Sequence, residues 1–104
     1  MDYRVSKNAE APDTTVVYLS GRMTFADHET FRGVIAAFDG PAGQRMIFDL
    51  SELAFIDSSG LGMFIIARDT AQKRGLEFSI RAARDEVKRL ITVAKFHRMF
   101  DITD

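Results

Sequence analysis

Apolar residues along the chain recur at spacings that switch between strand-like and helix-like periods, and that alternation predicts most of the elements. Tyr3 and Val5 open a short strand. Val16, Val17, Tyr18 and Leu19 form a β-branched and aromatic run that predicts a second strand, ended by Gly21. The turn-like stretch Asn8–Asp13, with Pro12 and Asp13, allows the two to form a hairpin. From Phe25 to Phe38, the residues Phe31, Val34, Ile35 and Phe38 lie at helical spacing, with Asp27, Glu29 and Arg32 on the other side. A turn follows at Asp39-Gly40-Pro41-Ala42-Gly43. Met46 to Leu50 then reads as a short central strand, apolar on both faces as expected of a parallel strand covered by helices. Leu61 to Arg74 is predicted helical, with Lys73 and Arg74 in a last turn closed by Gly75. Leu76, Phe78 and Ile80 alternate with Glu77, Ser79 and Arg81 in a strand with one wet face. Val87, Leu90, Ile91 and Ala94 form a third helical stripe, and a last extended piece spans Phe100 to Ile102.

The order β-β-α-β-α-β-α, with a final short strand, predicts an α/β fold: a mixed sheet of four to five strands covered by three or four helices. The 104 residues, 46% of them hydrophobic, fit one domain spanning residues 1–104 and bury enough surface to fold without staples. The absence of cysteine excludes disulfides, a thiol nucleophile and zinc sites built on thiolates. A net charge of -1 argues against nucleic-acid binding by phosphate neutralisation. No apolar run is long enough to insert into a membrane. The opening Met1-Asp2-Tyr3-Arg4 lacks the apolar core of a signal peptide, so a cytoplasmic protein is expected. Charge is unevenly spread: residues 81–98 hold six basic and two acidic side chains. That stretch is most simply a solvated helix face, with an acidic docking partner as the sharper reading.

The chemistry concentrates in Phe55-Ile56-Asp57-Ser58-Ser59-Gly60-Leu61-Gly62, where an apolar stretch runs into the second helix. Small oxygen-bearing residues there make good N-caps, which accounts for Asp57 or one serine. Capping does not account for Gly60 and Gly62, each costing on the order of 1 kcal/mol relative to alanine inside a helix. Glycines are better explained if the backbone of another molecule approaches closely. A helix start also tolerates a phosphate, because free N–H groups and the dipole favour negative charge. Ser58 and Ser59 are therefore both candidate phosphoacceptors.

The segment Leu50 to Gly62, with its Asp-Ser-Ser-Gly-Leu-Gly core after a strand ending in Asp49-Leu50, resembles the signature of the STAS domain family of anti-sigma factor antagonists, and the resemblance extends over nearly the whole chain. It implies that Ser58, the first hydroxyl residue after the aspartate, is phosphorylated, with Ser59 as the alternative. The implied kinase is an anti-sigma factor with a histidine-kinase-like fold. It implies further that the unphosphorylated protein binds that anti-sigma factor and frees a sigma factor, that phosphorylation breaks the complex, and that a PP2C-type phosphatase restores it. Asp57, Ser59, Gly60, Leu61 and Gly62 map to the partner surface, and Arg22, Thr24 and Asp27 are placed beside it. The free protein is expected to be a monomer, without cofactor or metal. Where many family members have an acidic residue, a leucine and Asp or Asn after the strand glycine, this chain has Arg22-Met23-Thr24-Phe25-Ala26-Asp27. That charge reversal alters the surface beside Ser58.

Other readings are weaker. Gly60-x-Gly62 lacks a third glycine and a following Gly-Lys-Ser/Thr, so it supports neither a dinucleotide nor a P-loop site. Ser58 with Asp57 and a distant His28 or His97 lacks the Gly-x-Ser-x-Gly elbow of a hydrolase. A small-molecule-binding module, and a STAS subunit of a lipid-transport ATPase or of a stressosome-like scaffold, are the remaining alternatives. The nine phenylalanines read as core, except Phe96 and Phe100, for which exposure at a partner contact is an open alternative.

Overall fold

The computed structural model describes residues 1–7 and 11–104. The first half of the turn expected at Asn8–Asp13 lies outside the described residues. Strands β1 (Asp2–Lys7) and β2 (Thr14–Met23) form the expected antiparallel hairpin, with Asp2 opposite Ser20 and Lys7 opposite Thr15. Strands β3 (Arg45–Ile56), β4 (Glu77–Arg81) and β5 (Asp101–Thr103) follow in sequence order across one sheet, and β2 to β5 are mutually parallel. The three connections between them carry helices α1 (His28–Ala36), α2 (Ser58–Lys73) and α3 (Asp85–Val93).

Each crossover moves one strand over in the same direction. Because such crossovers are right-handed, all three helices must fall on one face. The packing agrees: Phe31 and Val34 of α1, Met63, Phe64, Ala67 and Ala71 of α2, and Val87 and Ile91 of α3 share one apolar cluster with Val17, Leu19, Met46, Phe48, Leu50 and Ile80. Phe48 sits at its centre, with the rings of Phe31, Phe38, Phe64 and Phe78 at 4.8–6.1 Å. Val16 and Ile47, opposite each other in the β2–β3 ladder, are buried but belong to the other face and lie outside this cluster. The expectation of helical cover on both faces of the central strand is thus corrected. On the second face the polar residues pair instead. Arg81 Nε donates to Asp49 Oδ2 at 2.9 Å, and Arg45 reaches Glu77 at 3.5 Å.

Several boundaries differ from the periodicity. β2 does not end at Gly21. That glycine takes φ +82° between two register shifts, and the ladder resumes with Arg22 opposite Phe55 and Met23 opposite Ile56. The central strand runs on from Leu50 to Ile56, because Ser20 and Gly21 continue the pairing with Glu52 and Leu53. Asp49 Oδ1 also accepts from both the backbone N–H and the hydroxyl of Ser51, at 2.9 and 2.7 Å. The first helix opens with a 3-10 turn at Phe25–Asp27, and Phe38 lies past its end while staying in the core. Ala94 caps α3 and is exposed rather than part of its buried stripe. Phe96 and Phe100 are buried, so neither is a partner contact; the exposed phenylalanine is Phe25.

Candidate functional site

Three segments meet where the parallel strands end: Met23 finishes β2, Ile56 finishes β3, and α2 begins at Ser58. Asp57 joins them. Its backbone N–H donates to the Met23 carbonyl at 3.1 Å. Its Oδ1 caps α2 by accepting from Gly60 N–H at 2.9 Å, and its Oδ2 accepts from Phe25 N–H at 3.2 Å. One carboxylate therefore fixes the start of α2 and ties it to the corner before α1. The helix start expected at Leu61 is corrected: Asp57 is the cap, Ser58 the first helical residue and Ser59 the second.

The corner has its own lock. Thr24 donates to Asp27 Oδ2 through its backbone N–H at 2.8 Å and its hydroxyl at 3.3 Å. Asp27 Oδ1 takes the Met1 α-ammonium at 2.9 Å. The Thr24 backbone hydrogen bond, followed by the bond to the ammonium group, holds the Asp27 carboxyl below its ordinary pKa. Thr24 and Asp27 thus spend their polar atoms on building the corner.

With capping done by Asp57, the Ser58 side chain is exposed while Ser59 is half-buried. No hydrogen bond holds the Ser58 hydroxyl among the described residues. A free, exposed hydroxyl at a helix start can accept a phosphoryl group, and the resulting dianion meets the unpaired N–H groups of the first turn.

The two glycines separate. A Cβ on Gly60 would lie 2.4 Å from Ile56 Cγ1 and 3.1 Å from the Met23 carbonyl oxygen, so this glycine lets α2 settle against the ends of β2 and β3. A Cβ on Gly62 would meet nothing within 4 Å. Sequence reasoning gave both the same role, and only Gly62 is free for it.

Ser58, Gly62 and Ile66 follow at i, i+4 and i+8, one stripe along α2. Ile66 is 48% exposed and lines an open groove with His28, Phe31, Arg32 and Ile35 of α1. Phe25, 72% exposed, packs edge-on against His28 at 5.3 Å. Arg22 lies with its guanidinium 4.2 Å over the Phe55 ring. Phe25 and Ile66 were missed as surface residues. The available signal was their position off the buried stripes, Phe31–Val34–Phe38 in α1 and Met63–Ala67–Ala71 in α2.

The fold is that of a STAS domain, and the family comparison agrees. The chain belongs to the STAS domain family, whose model matches residues 6–104. A curated relative, a STAS-domain containing protein of Pseudomonas aeruginosa, is 29% identical over 98 residues, covering 92% of this chain and 93% of that protein. An anti-sigma-factor antagonist (STAS) domain protein from Planctomyces limnophilus superposes with a TM-score of 0.84 at 16% identity, covering 100% of this chain and 91% of that one. The Bacillus cell fate determinant SpoIIAA in its phosphorylated form superposes at 0.68 and 16% identity, covering 99% and 92%. STAS domains also occur in SulP transporters. No helix among the described residues is long and apolar enough to cross a membrane.

Proposed function

We propose that this STAS domain is a non-enzymatic anti-sigma factor antagonist that docks its partner on the Ser58–Gly62–Ile66 stripe of α2 and is switched by phosphorylation of Ser58. The observation that carries the reading is Gly62. Alanine there meets no neighbour and is the better helix former by about 1 kcal/mol, so the fold has no use for a glycine at this point. A partner backbone lying along α2 does have one. Phe25, His28 and Arg22 edge the same surface. Asp57, Thr24 and Asp27 hold it in shape, with Ser59, Gly60 and Leu61 completing the first turn.

The switch is electrostatic. Phosphate on Ser58 adds about -1.5 to -2 charges to a stripe whose other members, Gly62 and Ile66, carry none. The anion is stabilised in the free protein by the helix start but would have to lose its water in the complex. The partner is an anti-sigma factor that is itself the serine kinase, of histidine-kinase-like fold, and a PP2C-type phosphatase reverses the step. The solved phosphorylated form of SpoIIAA supports this reading by likeness of fold.

The test is the Gly62→Ala variant with two readouts. Its melting point should rise, and its affinity for the anti-sigma factor that copurifies with the chain should fall. A variant that melts higher and binds unchanged would remove the stripe from the interface. Copurification of a transporter ATPase, indifferent to Ser58, would assign the domain to a permanent assembly instead.

A further inference from the structure

Helix α3 starts beyond the end of β4 that faces Ser58 and runs back along the sheet, so its last turn lies near the opposite end, where β5 begins with Asp101 beside Ser79. Its inner side buries Val87 and Ile91, and the rings of Phe96 and Phe100 stack at 4.8 Å beneath the 3-10 turn Phe96–Arg98. Two apolar side chains of this segment stay in solvent: Val93, the last residue of α3, 66% exposed, and Met99, which closes the 3-10 turn, 39% exposed. Arg89, Lys95 and Arg98, from the same segment, are exposed as well. Arg89 is held by Glu86, whereas Lys95 and Arg98 have no carboxylate partner among the described residues.

Lys95 adds a separate observation. It follows the cap residue Ala94 in left-handed conformation, φ +59° and ψ +37°. Glycine is the usual residue at that position, because it alone enters this region without strain. The chain holds a strained lysine there, next to an exposed valine and an unpaired arginine. A backbone outlier of this kind is an indication of function when its surroundings supply the chemistry.

We infer that the end of α3 is a second docking surface, one that takes an acidic segment of a partner protein. An apolar side chain of that segment packs on Val93 and Met99, and its carboxylates meet Lys95 and Arg98. Exposed apolar side chains interleaved with basic ones along one short segment have the composition of a protein interface, where Met and Arg are over-represented. Nucleic acid fits poorly, since the two cations at this surface, on a chain of net charge -1, neutralise few phosphates. A lipid surface fits poorly too, because the apolar side of α3 is already buried and only two side chains remain to insert. The surface is small, so the contact is weak and salt-sensitive. It lies away from Ser58 and does not depend on the role proposed for that residue.

The experiment is an NMR titration of the full chain with a synthetic peptide of repeated Glu-Leu-Glu-Phe units, its Lys-for-Glu counterpart, single-stranded DNA, and phosphatidylglycerol vesicles. The acidic peptide alone should shift the amides from Val93 to Met99, with a response that fades as salt is raised. The double variant Lys95→Glu, Arg98→Glu should weaken that binding by about tenfold, and Ser58→Asp should leave it unchanged. Equal binding of the two peptides, stronger shifts with DNA or vesicles, or shifts confined to another surface would overturn the inference.

Discussion

Helix α2 starts on Asp57, whose carboxylate satisfies Gly60 N–H and Phe25 N–H together, whereas α3 starts on Arg84, which provides no side-chain cap. The difference continues around both helices. The corner before α1, to which Asp57 ties the start of α2, is locked by Thr24 and Asp27, while α3 is bracketed by three non-glycine residues at positive φ: Ala82 at +62°, Asp85 at +50° and Lys95 at +59°. The first region is a rigid platform that leaves one hydroxyl and one bare glycine facing outward. The second is held in place by burial of Val87, Ile91, Phe96 and Phe100 against local backbone preference. A surface for an all-or-none switch needs the first kind of construction, because a phosphate can act sharply only on a surface that cannot relax around it.

The contrast breaks most visibly at Gly60. Gly60→Ala forces a Cβ against Ile56 and the Met23 carbonyl, and should lower stability by about 1–3 kcal/mol, the usual cost of overpacking. Thermal melting checks it; a variant as stable as the parent would mean that the platform gives way easily. Midway in size is the Asp49–Arg81 pair on the sheet face away from the helices. Burial pushes the Asp49 carboxyl up, but hydrogen bonds from Ser51 and Arg81 outweigh it and leave the group below its ordinary value of 3.8. A depressed carboxyl contributes stability that is complete above the unfolded-state value and is lost as pH falls through the folded one. Asp49→Asn should therefore cost about 1 kcal/mol at neutral pH and flatten the loss of stability below about pH 4; acid titration followed by circular dichroism measures both. Smallest is Lys95→Gly. Relief of the left-handed strain less the entropy of glycine should raise stability by about 0.5–1 kcal/mol, whereas a fall would show that the Lys95 side chain supports the fold.

Much of this architecture was legible in the sequence, and the misreadings have local causes. The hairpin, the three helices and the parallel strands follow from periodicity, since each buries one stripe or face. Gly21 reads as a strand end because a bulge glycine and a terminating glycine look alike in sequence; only the resumed pairing of Arg22 and Met23 with β3 separates them. Ser51 and Glu52 interrupt the apolar run of the central strand, and nothing local reveals that Ser51 is held by Asp49. At the site, the motif located Asp57, Ser58 and the two glycines. It could not divide their roles, because what a Cβ would meet at Gly60 or Gly62 depends on Ile56 and on Met23 from another strand. Phe25 reads as core with the other phenylalanines at strand and helix spacing, yet it sits off the stripe that Phe31 and Val34 define and is exposed.

The central claim is that the hydroxyl left free by Asp57 capping is the switch. The direct measurement is the affinity of the chain for the proposed anti-sigma factor kinase before and after phosphorylation, with the modified residue mapped by mass spectrometry. The account predicts phosphate on Ser58 and a loss of about 5 kcal/mol in binding, enough to move a complex from nearly all bound to nearly all free. It also predicts that Ser58→Ala binds as the unmodified chain does. Phosphate carried on Ser59, or a phosphorylated chain that binds as tightly as the unmodified one, would contradict it.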